Sequence, residues 1–141
     1  MCRAGEISYL GKNCAPRDTK EGMKRNLLLL AVAISAGVHA GLAPSHLREE
    51  PLLGFGFVGA TLLLSVTAFA LARRTASRRP IAAAAALLAA LIAGYAATRT
   101  VGLPGLERES WDSLGLATNA VEILGVAAAV YLIRTPRREI A

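Results

Sequence analysis

This sequence predicts an all-α fold, a four-helix transmembrane bundle running antiparallel, up-down-up-down, and three observations predict it. Of 141 residues, 54% are hydrophobic and only 18% charged, with a positive mean hydropathy, which is the composition of a membrane protein rather than a soluble domain. Four apolar runs, at about 26–43, 52–72, 81–101 and 114–133, each approach the roughly 17 to 25 residues that cross a bilayer. Lysine and arginine then gather beside alternate loops, as in a chain that crosses four times.

Residues 1–22 are charged, glycine-containing and without apolar periodicity, so they are expected to be disordered. Met23-Lys24-Arg25-Asn26 followed by LLLLAVAISAGVHAGLA looks like a natural start, which would make the leader spurious and 23–141 the membrane domain. The same stretch also has the basic, apolar and small-residue order of a cleavable signal, but another span begins close behind it.

Span one is expected to end at Pro44. Gly37 and Gly41 form a GxxxG that would let a neighbouring backbone come close. SHLREE, residues 45–50, reads as a polar connection, with Pro51 as the first residue of the next helix and Glu49 and Glu50 favoured by its dipole.

Span two offers Gly54, Gly56, Gly59 and Ala60 as small contact positions and stops at Arg73-Arg74. Pro80 opens span three, whose alanines suggest close helix packing on most faces. Leu103-Pro104-Gly105 marks a turn. Trp111 suits an interface, and Asp112 or Ser113 can cap span four.

Orientation follows from the basic residues. The leader, the 73–79 loop and the tail hold thirteen of them, while the other two loops hold Arg48 and Arg108, with Arg99 at the end of span three. Both termini are therefore expected in the cytoplasm, with the multi-pass chain in the cell (inner) membrane of a bacterium. Alanine and arginine richness suits a high-GC genome. The other face receives Glu49, Glu50, Glu107, Glu109 and Asp112, so it is acidic.

The formal charge of +6 and a pI near 10.0 would suit a nucleic-acid binder, but the basic residues flank spans rather than forming a polar or aromatic surface. The expected partner is the lipid bilayer, joined by another membrane protein or a second copy in a homo-oligomer; nucleic acid is not expected. Cys2 and Cys14 lack zinc-ligand spacing, and no cofactor is expected. There is no nucleophile elbow, phosphate loop or dinucleotide fingerprint, so an enzyme is not favoured.

Glu122 lies near the middle of span four, where lipid rejects an acid that has no partner. Asp112, Gly115, Asn119 and Glu122, spaced by three, four and three, fall on one helical stripe that should face the bundle. His39 in span one and Arg99 in span three sit in the outer halves. Because side chains lean toward the N-terminus of their own helix, these two should meet Glu122 at one level.

The functional reading is an outward-facing pocket of His39, Arg99, Asn119 and Glu122 for a small ligand, protons or a transport-linked accessory role. A metal set of His39, His46 and Glu122 is a further candidate. The bland alternative has Arg99 snorkelling to headgroups and Glu122 neutral or hydrogen-bonded to Asn119 and a nearby hydroxyl, in a structural or assembly subunit with no ligand site.

HAGLAPSHLREE, in the form H-x4-P-x-H-x2-E, and TRTVGLPG, followed by an acidic stretch and an in-span glutamate, resemble segments of small four-span membrane proteins of high-GC bacteria. In those proteins a histidine-containing first span and an Arg-Thr-x-Gly-Leu-Pro turn after the third span recur. The resemblance implies that His39, His46, Arg99, Gly102, Pro104 and Glu122 belong to one outer-face feature. It carries no activity with it.

Overall fold

In a computed structural model of the chain, the described residues are 19–73, 77–102 and 108–135. They form four α-helices: α1 (Thr19–Glu49), α2 (Pro51–Ala72), α3 (Arg79–Thr100) and α4 (Ser113–Arg134). This is the expected all-α four-helix bundle, without strands among the described residues. The 22-residue helices are each roughly 33 Å long, and all four are long and apolar enough to cross a membrane. At most 28% of the most apolar window of any helix is buried. Large side chains such as Leu52, Phe55 and Val66 are about 70% exposed, an apolar surface far beyond what a soluble monomer shows and one that acyl chains would solvate.

Helix α1 is longer than expected at both ends. It begins at Thr19, so residues 19–22 of the leader are helical, while residues 1–18 lie outside the described residues. At the other end Pro44 sits inside the helix instead of ending it. A proline removes one amide bond, here to the Ala40 carbonyl, and crowds the preceding turn. In the following turn Ser45 Oγ donates to the Leu42 carbonyl at 2.9 Å, and His46 Nδ1 lies 3.0 Å from the same oxygen.

SHLREE is therefore helical up to Glu49, and the chain reverses at Glu50 alone. The Glu50 N–H donates to the His46 carbonyl at 2.8 Å and the Gly54 N–H to the Glu50 carbonyl at 3.0 Å. A Cβ on Gly54 would stand 2.5 Å from the Leu47 backbone, so this corner requires glycine. Pro51 occupies the first turn of α2, as expected. The Leu103-Pro104-Gly105 turn lies outside the described residues. Just before it, Gly102 has a φ of 74°, and its N–H and that of Val101 both donate to the Ala97 carbonyl, closing α3 with a left-handed glycine.

Apart from Gly54, the small residues that bring helices together are not those the spacing suggested. A Cβ on Gly37, Gly41, Gly56 or Gly59 would have nothing within 4 Å, whereas one on Gly125 would stand 2.6 Å from Leu88 Cδ1 and 2.8 Å from Ala31 Cβ. In α3, Ala82, Ala83, Ala86, Ala89 and Ala93 are exposed, and the inward face is Ile81, Ala84 and Leu88. A GxxxG or an alanine run permits close packing but does not say which way it faces.

Helix α1 packs against α2 and α4, and α4 against α3, while α2 and α3 touch sparsely. The buried apolar core of Leu28, Val32, Leu64, Leu71, Ile81, Ala84, Leu88, Ala128 and Ala129 draws on the first halves of α1 and α3 and the second halves of α2 and α4. It therefore occupies one end of the bundle. Arginines close that end: Arg25 donates to the Leu71 carbonyl at 2.6 Å, and Arg78 to those of Ile133 at 2.6 Å and Thr135 at 2.8 Å. These carbonyls belong to helix C-termini, which lack intrahelical donors and favour cations.

Candidate functional site

The other end of the bundle is hollow. A cavity of about 670 Å³ is lined by all four helices and by the segment before α4, and His39, His46, Arg99, Asn119 and Glu122 all border it. The Asp112, Gly115, Asn119, Glu122 stripe follows its wall from rim to floor. All the site residues expected from the sequence thus share one space, though not as a single cluster.

At the floor, where the hollow end meets the packed one, Glu122 is 1% exposed and Ser35 fully buried. Ser35 Oγ donates to Glu122 Oε1 at 2.7 Å, joining α1 to α4. The Ser35 carbonyl lies 2.8 Å from His39 Nδ1. A carbonyl can only accept, so Nδ1 carries the hydrogen and Nε2 of a neutral ring keeps a lone pair. The same reasoning applies to His46, whose Nδ1 faces the Leu42 carbonyl. Both imidazoles rest on Phe57, His46 stacked at 4.3 Å between ring centroids and His39 tilted at 5.1 Å.

At the rim, Arg99 does not reach Glu122. Its guanidinium pairs with Glu109 and with Asp112, the latter at 2.9 Å, donates to Thr98 Oγ1 and lies 4.7 Å from the Tyr95 ring centre. Arg99 sits in the last turn of α3, and carboxylates on the following segment are nearer than one at mid-helix. These pairs, with the Glu109 N–H on the Thr98 carbonyl at 3.2 Å, fix residues 109–112 across the end of α3. The expected meeting of Arg99 with Glu122 is corrected accordingly, and neither does Arg99 snorkel alone.

Asn119 also differs from expectation. Its amide donates to the Gly115 carbonyl of its own helix at 2.9 Å, and the hydroxyl on Glu122 is that of Ser35.

Asp112 is the α4 cap. Its Oδ1 accepts the Gly115 N–H at 2.6 Å. That backbone N–H, followed by the hydrogen bond from Arg99, holds the carboxyl below its ordinary value. Gly115 has no room for a side chain, because a Cβ there would run into the Tyr95 ring. Tyr95 O–H lies 3.3 Å from the Asp112 carbonyl, to which it donates.

His39, His46 and Glu122 border one cavity but do not assemble as metal ligands: among the described residues no group of three or more His, Cys, Asp or Glu is close enough to hold a metal ion. The histidines lie seven residues apart on one helix, each tied to its own backbone.

Neither Ser35 nor Phe57 is assigned a role by the sequence pattern. Ser35 carried a usable signal, a hydroxyl one helical turn before an in-span histidine. Phe57 carried none among its apolar neighbours. Comparison with family models, with curated proteins and with solved structures yields no match.

Proposed function

We propose that this is a multi-pass membrane protein whose hollow end is a ligand site open to the non-cytoplasmic side, serving a small-ligand or transport-linked accessory role. In this reading both termini are cytoplasmic and the membrane is the inner membrane of a bacterium. The uneven distribution of basic residues supports that orientation, and the arginines at the closed end agree with it. The resemblance of the His39 and Arg99 segments to small four-span proteins is consistent with a site at that face.

The observation that carries the reading is Glu122. It is a buried carboxyl facing a roomy cavity with, among the described residues, one donor, Ser35, and an ionisable residue at such depth marks a ligand or ion path more often than a packing device.

The second reading is a structural subunit without a ligand. Gly37 and Gly41, with nothing against them, favour it, since a helix from another membrane protein or a second copy could approach there. Two variants separate the readings. Under the site reading, Glu122→Gln leaves a folded protein of unchanged thermal stability and impairs function, while Glu122→Leu impairs both. Under the structural reading Gln is tolerated and Leu nearly so. If both variants behave like the parent in binding and stability assays, the site reading fails.

A further inference from the structure

The groups that line the cavity carry an uneven set of hydrogen-bonding capacities. The hydroxyls of Tyr95, Thr98 and Thr118 already donate to Asp112 or to carbonyls of their own helices. Asn119 donates to the Gly115 carbonyl, and each histidine has its Nδ1 hydrogen on its own helix. Arg99 is held by two carboxylates, and its Nε is buried without a hydrogen-bond partner among the described residues.

Acceptors remain. A carboxylate has about four lone-pair sites, and Ser35 fills one on Glu122. The two imidazoles keep Nε2, and the rim of one guanidinium with two carboxylates is net negative. An anion entering here would meet a carboxyl group at the floor and like charge at the rim. A cation would find a carboxylate in a low-dielectric floor, where attraction is least screened, with the aromatic rings of Phe57 and Tyr95 in the wall. Leu42, Leu53, Leu91 and Leu114 complete an apolar wall, and the volume falls in the roughly 300 to 1,000 Å³ range of small-molecule sites.

We propose that the cavity binds an organic cation, a protonated or quaternary amine on an apolar body, with its charge toward Glu122 and its body against Phe57 and Tyr95. This rests on the site reading above and narrows it to a ligand class. The ammonium can belong to a free amine or to a lipid headgroup, and the chemistry of capture is the same.

The test uses three probes built on one phenyl ring, titrated calorimetrically into the purified full chain in detergent: benzyltrimethylammonium, benzyl alcohol and benzoate. The cation is expected to bind roughly tenfold or more tightly than the alcohol, about the worth of one charge-assisted contact, and benzoate not to bind. Glu122→Gln should remove that preference with an unchanged melting temperature, while Glu122→Asp retains it. If Gln unfolds the protein, the probe ranking on the unaltered chain still decides.

Benzoate binding as well as the cation, with sensitivity to Glu122→Gln, overturns the cation class and leaves the site reading standing. No probe binding, with Gln and Leu variants matching the parent, overturns both. Repeating the titration in nanodiscs of phosphatidylglycerol with and without phosphatidylethanolamine separates the sources. Cation binding lost only with phosphatidylethanolamine identifies a lipid ammonium; binding kept in both identifies a free amine.

Discussion

The two ends of this bundle are built from the same helices and the same apolar alphabet, yet one is filled and the other is not. At the closed end, leucines and alanines from four helices meet around Leu28, Leu64 and Leu88, all fully buried. Gly125 there lets α4 come against α1 and α3. At the hollow end two of the glycines that line the wall, Gly56 and Gly94, approach nothing, and aromatic, imidazole and charged groups stand where a packed bundle would place leucine. A chain that needed only an anchor could fill both ends alike. In a bilayer association is driven by packing and hydrogen bonds rather than by escape from water, so the closed end supplies the rigidity that lets the other end stay open.

The largest expected effect sharpens this contrast. Leu88→Ala opens a void among side chains that cannot all relax and should destabilise by about 2 to 3 kcal/mol, mostly through lost packing. Leu42→Ala only widens a cavity that already exists and should cost less than about 1 kcal/mol. Unfolding in mixed micelles followed by circular dichroism measures both. Equal losses would mean the two ends are packed alike.

Glycines make the same point from the opposite direction. Gly125→Ala drives a methyl into Leu88 and Ala31 and is expected to cost about 1 to 3 kcal/mol. Gly56→Ala meets open space and should be neutral or slightly stabilising through helix propensity, worth at most about 1 kcal/mol. Where the ends meet, Ser35→Ala strips Glu122 of its donor and should cost about 1 to 2 kcal/mol, recovered in part when Glu122→Leu is added. The double-variant cycle on unfolding free energies reads that coupling.

The sequence made some of this legible and not the rest, for reasons visible in particular residues. Apolar length alone placed α2, α3 and α4 to within a residue or two, and three-four-three spacing put Asp112, Gly115, Asn119 and Glu122 on the inward stripe. Pro44 misled because a proline near a helix end removes only one bond, and α1 continues past it to Glu49. Gly37, Gly41 and the alanines of α3 misled because smallness says a face can be approached, not that it is. Arg99 was assigned to the wrong carboxylate, Glu122, because helical lean gives direction along the axis but not the course of the connection that brings Glu109 and Asp112 to it. The division into a filled and a hollow end is a property of four helices at once, and no single span carries it.

The smallest effect concerns the rim. Asp112 is held below its ordinary value by the Gly115 N–H and by Arg99, so its charged form is favoured in the folded protein. A depressed carboxyl contributes stability that is fully present above its unfolded value, near pH 4, and is lost as the pH falls through the folded one. Acidification below about pH 4 should therefore weaken the parent more than Asp112→Asn, which can still accept the Gly115 N–H but has no charge for Arg99. Asp112→Ala removes cap and charge together and should lower stability by about 1 kcal/mol at neutral pH. The ion-pair share is kept small because the Asp112 side chain is 45% exposed and water screens it. Melting temperatures of the three proteins from pH 3 to 7, a range of about four units chosen to bracket the aspartate value, give the measurement. Parallel acid profiles for parent and Asn variant would mean that the rim is not set by this carboxylate, and that the hollow end is held open by the packed end alone.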